Sequence, residues 1–251
     1  MNFAEGHLLL LPLAFFASLL STLAGGGSGL LLVPALLFMG VPFPSAVAIN
    51  KVTTVAQGGG AIIKHIKGTK VNWRVGILIL ISGVPGVVLG SLLIPYVNPR
   101  IAEFTLGILI LTISISSLVL PIKKQNYSNL KLTKKNTPII VLGIFIVGVI
   151  NGAFTASSGL FLTFWLVIAL KFDFNKAISH TVIFCTFFWN IIGGVSMYET
   201  VFAQWHLLPM LLLGAIIGGY IGAYISVRIS ADVSKYIFVS ISLIISLVLL
   251  F

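Results

Sequence analysis

Lys51 is the side chain in this sequence whose position most demands a chemical reason. It stands six residues inside an apolar run that opens at Ala46, with Asn50, Thr53, Thr54 and Gln57 beside it. A charge at the centre of a bilayer costs about 2.5–3.5 kcal/mol on insertion scales, so such residues usually face a cavity and pair there. The plain alternative is a lysine that snorkels to the nearer surface, because six residues is only about 9 Å of helix. Asn50, Thr54 and Gln57 share a face at helical spacing and would line the same cavity.

Two short polar stretches offer a second kind of chemistry. Gly25-Gly26-Gly27-Ser28-Gly29 and Thr155-Ala156-Ser157-Ser158-Gly159 each interrupt a long apolar stretch, 130 residues apart. Ser28, and Ser157 with Ser158, precede apolar arms and are good N-caps. A helix starting there would turn free N–H groups and its positive dipole end toward the break, which suits an anion. Gly26, Gly27, Gly29 and Gly159 let the backbone approach a solute closely. The bland reading is close helix packing, for which glycine is common in membrane helices.

The run from Ala177 holds Ser179, His180, Thr181, Thr186 and Asn190. His180 could bind substrate or carry a proton; a neutral histidine bonded to a neighbouring helix is the competing role. No Asp or Glu lies deep in any run, so no carboxylate proton relay is present. The single cysteine, Cys185, excludes an intramolecular disulfide and a cysteine-pair metal site, and reads as a small buried hydrophobe. No cofactor is implied.

These residues need elements to position them. Of 251 residues, 58% are hydrophobic and 8% charged, and the mean hydropathy is +1.15. That excludes a soluble domain of this size. Several apolar runs approach the roughly 20 residues needed to cross a bilayer, and none alternates as a β-barrel strand would. The chain is therefore an all-α integral membrane protein, with the lipid bilayer as its first partner. The first run follows no basic n-region and ends at no A-x-A site, so it reads as mature protein. Apolar segments cover 8–24, 30–40, 46–63, 75–95, 101–120, 138–151, 159–170, 177–196, 206–227 and 233–250. Segments 30–40, 138–151 and 159–170 are too short to span, while 8–24 nearly could.

The halves resemble each other. Gly29, Ala46, Trp73, Gly86 and Gly90 recur in order as Gly159, Ala177, Trp205, Gly218 and Gly222, which points to duplication. Residues 1–121 and 138–251 form two repeats around a basic linker, 122–137, within one membrane domain. Each repeat reads as a broken, re-entrant hairpin followed by three transmembrane helices. On that topology thirteen of the fifteen basic residues share one side. Loops 64–74 and 121–137 are then cytoplasmic, both termini lie outside, and the repeats are inverted, with their breaks meeting near the midplane. The net charge of +10 is membrane topology rather than nucleic-acid binding. Trp73, Tyr96, Tyr198 and Trp205 read as interfacial anchors, Trp165 and Trp189 as core, and His65 as solvated beside the cytoplasmic lysines. The small-residue pairs read as packing faces, within the chain or in a homo-oligomer.

Broken apolar segments in corresponding places of two halves mark transporters, with the solute between the breaks. The residues GGGSGLLLVPAL from Gly25, AVAIN from Ala46 and VNW from Val71 resemble the sulfite exporter TauE/SafE family. In the second half, SSGLF from Ser157 and AISHT from Ala177, with a Trp before a glycine-rich helix, are similar to that family's second repeat. The resemblance covers about 8–250. It implies an inner-membrane transporter of sulfur-containing anions such as sulfite or sulfonates. Asn50-Lys51 stands where the family often has Thr-Ser, which leaves the substrate open. Other readings are a solute channel, a purely structural membrane protein, and an intramembrane serine protease. For the protease, Gly26-Gly27-Ser28-Gly29 looks like the rhomboid G-x-S-G, with His180 as base; the second copy lacks that motif.

Overall fold

The computed structural model describes residues 3–24, 28–68, 71–119, 136–154, 158–198 and 201–250. Gly26 and Gly27 of the first break, Ser157 of the second, and nearly all of the 122–137 linker lie outside the described residues. Regular structure among the described residues is helical throughout. Helices α1 (Phe3–Ala24) and α2 (Gly29–Phe38) flank the first break. They are followed by α3 (Phe43–Gly68), α4 (Trp73–Leu93) and α5 (Pro99–Val119). Helices α6 (Thr137–Phe154) and α7 (Ser158–Leu170) flank the second break. Next, α8 (Phe174–His180) passes through a π-helical segment, Thr181–Trp189, into α9 (Asn190–Tyr198). The last helices are α10 (Leu208–Ser226) and α11 (Ala231–Leu250).

Among the described residues, four rods are long and apolar enough to cross a membrane: Trp73–Tyr96, Thr137–Phe154, Phe174–Tyr198 and Trp205–Ser226. The first, third and fourth match the expected apolar segments 75–95, 177–196 and 206–227, and the second corrects the reading of 138–151 as too short. The polar Asn151-Gly152 pair does not end α6, because the Asn151 side chain is bonded across the break to Ser158. The 18 residues of α6 reach about 27 Å. The two broken units are thus unequal hairpins: a long first arm (α1, α6) and a short second arm (α2, α7).

Glycines set the packing. Helix α6 lies along α4 and α1 along α10. A Cβ at Gly86 or Gly90 would run into the carbonyls of Phe145 or Val149, and one at Gly218 or Gly222 into those of Phe15 or Leu19. Phe15 and Leu19 precede Phe145 and Val149 by 130 positions, and the glycine pairs differ by 132. Exchanging the halves therefore carries one interface onto the other. The Gly218 and Gly222 face is spent inside the chain, on α1. Two apolar cores follow. One gathers Leu10, Leu32, Leu36 and Ala46–Ile49, the other Ile79, Ile144, Leu162, Leu166, Phe184 and Trp189. Near the breaks, Leu31 of α2 and Phe154 of α6 pack against Leu160, Ile110 and Val239, which brings the two hairpins into one cluster.

Candidate functional site

At the first break the polar face of α3 does what the spacing of Asn50, Thr54 and Gln57 suggested: all three converge on one point. The Ser28 hydroxyl lies 3.2 Å from Asn50 Oδ1 and 3.0 Å from Thr54 Oγ1. The Ser28 backbone N–H donates to Gln57 Oε1 at 3.2 Å. Gln57 Nε2 donates in turn to Ser21 Oγ and Thr22 Oγ1 at 3.1 and 2.9 Å. Ser28 does not cap α2 with its side chain; its hydroxyl is drawn to α3 instead. The chain's own amide, rather than a solute, satisfies the N–H at this break. Gly29 is buried as the first residue of α2.

The second break is built differently. Ser158 begins α7, with Gly159 buried next to it. Its hydroxyl accepts from Asn151 Nδ2 at 2.7 Å and sits 3.8 Å from the Cys185 sulfur. Cys185 belongs to the π-helical segment. Thr181, in the same segment, takes a bond from Thr163 of α7 at 2.9 Å. Asn190 closes the segment, its amide donating to the carbonyls of Cys185 and Thr186 at 3.0 and 3.1 Å. Long i→i+5 stretches are rare and cluster at functional places.

Lys51 joins the two. It is fully buried, so it does not snorkel. Its ammonium donates to the Asn151 carbonyl at 2.8 Å, one hundred residues away and in the last turn of α6. Gly193 makes room for it, since a Cβ there would lie 2.7 Å from Nζ. An ammonium carries three donors, and among the described residues this one bond is the only hydrogen bond it makes. On α3 and along the π-helical segment to its end, further polar atoms are buried without a partner among the described residues: Asn50 Nδ2, Thr186 Oγ1, Trp189 Nε1 and Asn190 Oδ1. Asn190 also lines a cavity of about 910 Å³ between α3, α9 and the start of α10.

Two histidines depart from expectation. His180 Nε2 accepts the Asn72 N–H at 3.0 Å, which leaves Nδ1 to donate to the Lys176 carbonyl at 2.7 Å. That geometry is a neutral imidazole tying α8 to the start of α4, with no ring nitrogen left for a solute or for a nucleophile. Ser28 is bonded to Asn50 and Thr54 and His180 to Asn72 and Lys176, so among the described residues the two are not paired as nucleophile and base. His65 is 1% exposed rather than solvated, and its Nδ1 is 3.0 Å from Ser179 Oγ. Trp73, Tyr96 and Tyr198 are exposed, as anchors are, while Trp189 is fully buried.

Reading the sequence missed Asn151, Cys185 and Gly193 as neighbours of Lys51. A signal for Asn151 existed: the 130-residue offset maps Ser21 onto Asn151, so each break has a polar residue in the helix before it.

Buried polar breaks joined by a buried lysine, inside a bundle of membrane-length helices, define a membrane transport protein. The sulfite exporter TauE/SafE family matches residues 10–249, and the chain belongs to that family. It is a multi-pass membrane transporter, not an enzyme. It is similar to a probable membrane transporter protein of Haemophilus influenzae, 26% identical over 205 residues and 78% of each chain. It also resembles the probable membrane transporter protein ORF9 of a Sinorhizobium species, 33% identical over 89 residues. That match covers 35% of this chain and about a third (34%) of the Sinorhizobium protein. No solved structure matches the chain.

Proposed function

We propose that the protein moves a small anion, a sulfur-containing oxyanion or organosulfonate such as sulfite, across the cell (inner) membrane by alternating access. The observation that carries this reading is Lys51: a fully buried ammonium with a single hydrogen bond among the described residues. A buried cation with spare donors is stable only when a counter-charge or further acceptors complete it. A small oxyanion beside the second break would supply both. Asn50 Nδ2, Thr186 Oγ1 and Trp189 Nε1 are candidate further donors. Ser158 and Thr181 would line the same place, with Asn190 at its edge. Gly26, Gly27 and Ser157 would complete the two breaks.

The exchange of the Gly86–Phe145 and Gly218–Phe15 contacts supports two inverted repeats, 1–121 and 138–251, that rock against each other around a fixed site. In this reading loops 64–74 and 121–137 face the cytoplasm and both termini face outward. Cysteines introduced as Arg100→Cys and Asp173→Cys test it: only the first is to be labelled by an impermeant maleimide from outside.

Flux tests the function. Proteoliposomes with the purified chain are to take up or release sulfite or a sulfonate well above empty liposomes, and Lys51→Ala is to remove that flux. No flux of any sulfur oxyanion, or flux undiminished in the variant, overturns the proposal.

A further inference from the structure

Beside the candidate site, α3 borders an apolar furrow on the outside of the bundle. The cavity that reaches Asn190 shares Val55 with a second cavity of about 770 Å³. This second cavity is walled by Gly59, Gly60 and Ile63 of α3, Phe187 of the π-helical segment, and Ile217 and Tyr220 of α10. From Val55 to Ile63 it runs about 12 Å, close to the roughly 15 Å of hydrocarbon in one leaflet. Gly60 is what keeps the furrow's floor narrow, because a Cβ there would meet the Ile216 carbonyl.

At the end of the furrow, one residue past Ile63, stands a fixed pair of cations. Lys64 Nζ lies 5.0 Å from the centre of the Tyr220 ring and 5.3 Å from that of Tyr224. The Arg228 guanidinium lies 3.4 Å from the centre of the same Tyr224 ring. Tyrosine faces hold both charges in place. Neither cation forms an ion pair with a carboxylate among the described residues. Among the described residues the other half has no such arrangement. At the offsets that relate the halves, Val195, Leu92 and Tyr96 stand for Lys64, Tyr224 and Arg228. The cations are therefore a feature of this end alone, not a by-product of the duplicated frame.

From this we infer that the furrow is a binding site for an anionic phospholipid, one acyl chain lying along α3 between Val55 and Ile63 and the headgroup phosphate bridging Lys64 and Arg228. Apolar depth of one leaflet and two anchored cations at its mouth are the complement of such a molecule, and of neither a zwitterionic lipid nor a free anion alone. The lipid would rest against α3, which carries Lys51, against the π-helical segment and against α10. The site does not depend on which solute is carried.

Native mass spectrometry of the full chain in detergent tests it, with phosphatidylglycerol and phosphatidylcholine of the same acyl chains as the two ligands. The wild type is to retain phosphatidylglycerol roughly thirtyfold more tightly, the effect of two surface cations on an anionic headgroup. Lys64→Gln with Arg228→Gln is to abolish the difference, and Tyr224→Phe, which keeps the ring, is to leave it. The single Lys64→Gln serves if the double variant does not fold, with a preference reduced to a few-fold. Equal retention of both lipids by the wild type, or an undiminished preference in the variants, overturns the proposal. So does inorganic phosphate displacing the bound phosphatidylglycerol at millimolar concentration, or a second copy of the chain occupying the furrow as a detergent-stable dimer.

Discussion

The two breaks occupy equivalent places in the halves, yet they are finished in opposite ways. At the first, the polar groups of Ser28 and Gln57 are turned inward: the Ser28 hydroxyl goes to Asn50 and Thr54, its N–H to Gln57, and Gln57 also binds Ser21 and Thr22, while Asn50 Nδ2 is left without a partner among the described residues. Its partner, α3, is a regular α-helix. At the second, Ser158 meets a thiol at 3.8 Å, its partner helix is π-helical, and Thr186, Trp189 and Asn190 each leave a buried polar atom without a partner among the described residues. The first half then sends a cation across to it. Buried polar atoms are nearly always satisfied in native proteins, and clusters of exceptions point to a function. On the function proposed above, the first break closes mainly on itself as structure and the second is the one that receives the solute.

Lys51→Met breaks the comparison hardest. Hydrogen bonds to charged groups are worth about 1.5–3 kcal/mol, so losing the ammonium is to lower anion flux roughly 10- to 100-fold. Stability is to hold or rise, because an apolar residue of similar length removes a buried charge. Flux in proteoliposomes and unfolding in detergent read the two effects separately. A variant that unfolds but transports normally when folded makes Lys51 a strut.

Gln57→Ala is to show the reverse. It removes three hydrogen bonds and leaves the buried Ser28 N–H unpaired, at about 1–3 kcal/mol for that group. Thermal unfolding is to fall clearly, while flux per folded molecule stays within about twofold. If flux collapses and stability does not, the solute sits at the first break and the assignment of the two is inverted.

Gly193→Ala is a finer probe. A Cβ at Gly193 would lie 2.7 Å from Lys51 Nζ, whereas one at Gly194 makes only ordinary contacts near 3.8 Å. The long side chain of lysine can yield, so the first substitution is to displace the ammonium from the Asn151 carbonyl and lower flux about tenfold, on the order of one charged hydrogen bond. Gly194→Ala is to behave as wild type. Equal behaviour of the two variants would mean that the position of the ammonium is immaterial.

Much of the frame was legible in the sequence because membrane helices announce themselves by composition. Each apolar segment coincides with an observed helix or helical rod to within a few residues, and Asn50, Thr54 and Gln57 meet because 3.6-residue periodicity placed them on one face. The π-helical segment was not legible. Between Thr181 and Trp189 the run is almost wholly apolar, and a pattern without contrast cannot distinguish 3.6 residues per turn from a wider winding. The histidines were misjudged for a related reason. His65 and His180 were judged by depth along their segments, but their roles were decided by Ser179 and by the Asn72 N–H, partners more than one hundred positions away. Helix α6 was underestimated because the apolar segment was ended at Asn151, whereas the helix runs on to Phe154, with Asn151 bonded to Ser158.

The smallest change asks whether chemistry alone separates the breaks. Counting from Ala46 and Ala177, Thr54 corresponds to Cys185, so Cys185→Thr gives the second break the residue of the first. A hydroxyl makes a stronger hydrogen bond than a thiol, and a net gain of about 0.5–1.5 kcal/mol is typical of one satisfied bond. Part of that is to be lost to the shape change of a β-branched side chain in a packed interior. The expected result is a modest rise in unfolding temperature, with flux lowered by a few-fold as Ser158 is drawn away from the solute. A rise in stability without loss of flux would mean that Ser158 only joins helices, and that the solute is held by Lys51 and the unpartnered groups of the π-helical segment. A fall in stability would mean that the π winding, rather than the thiol, keeps the second break open.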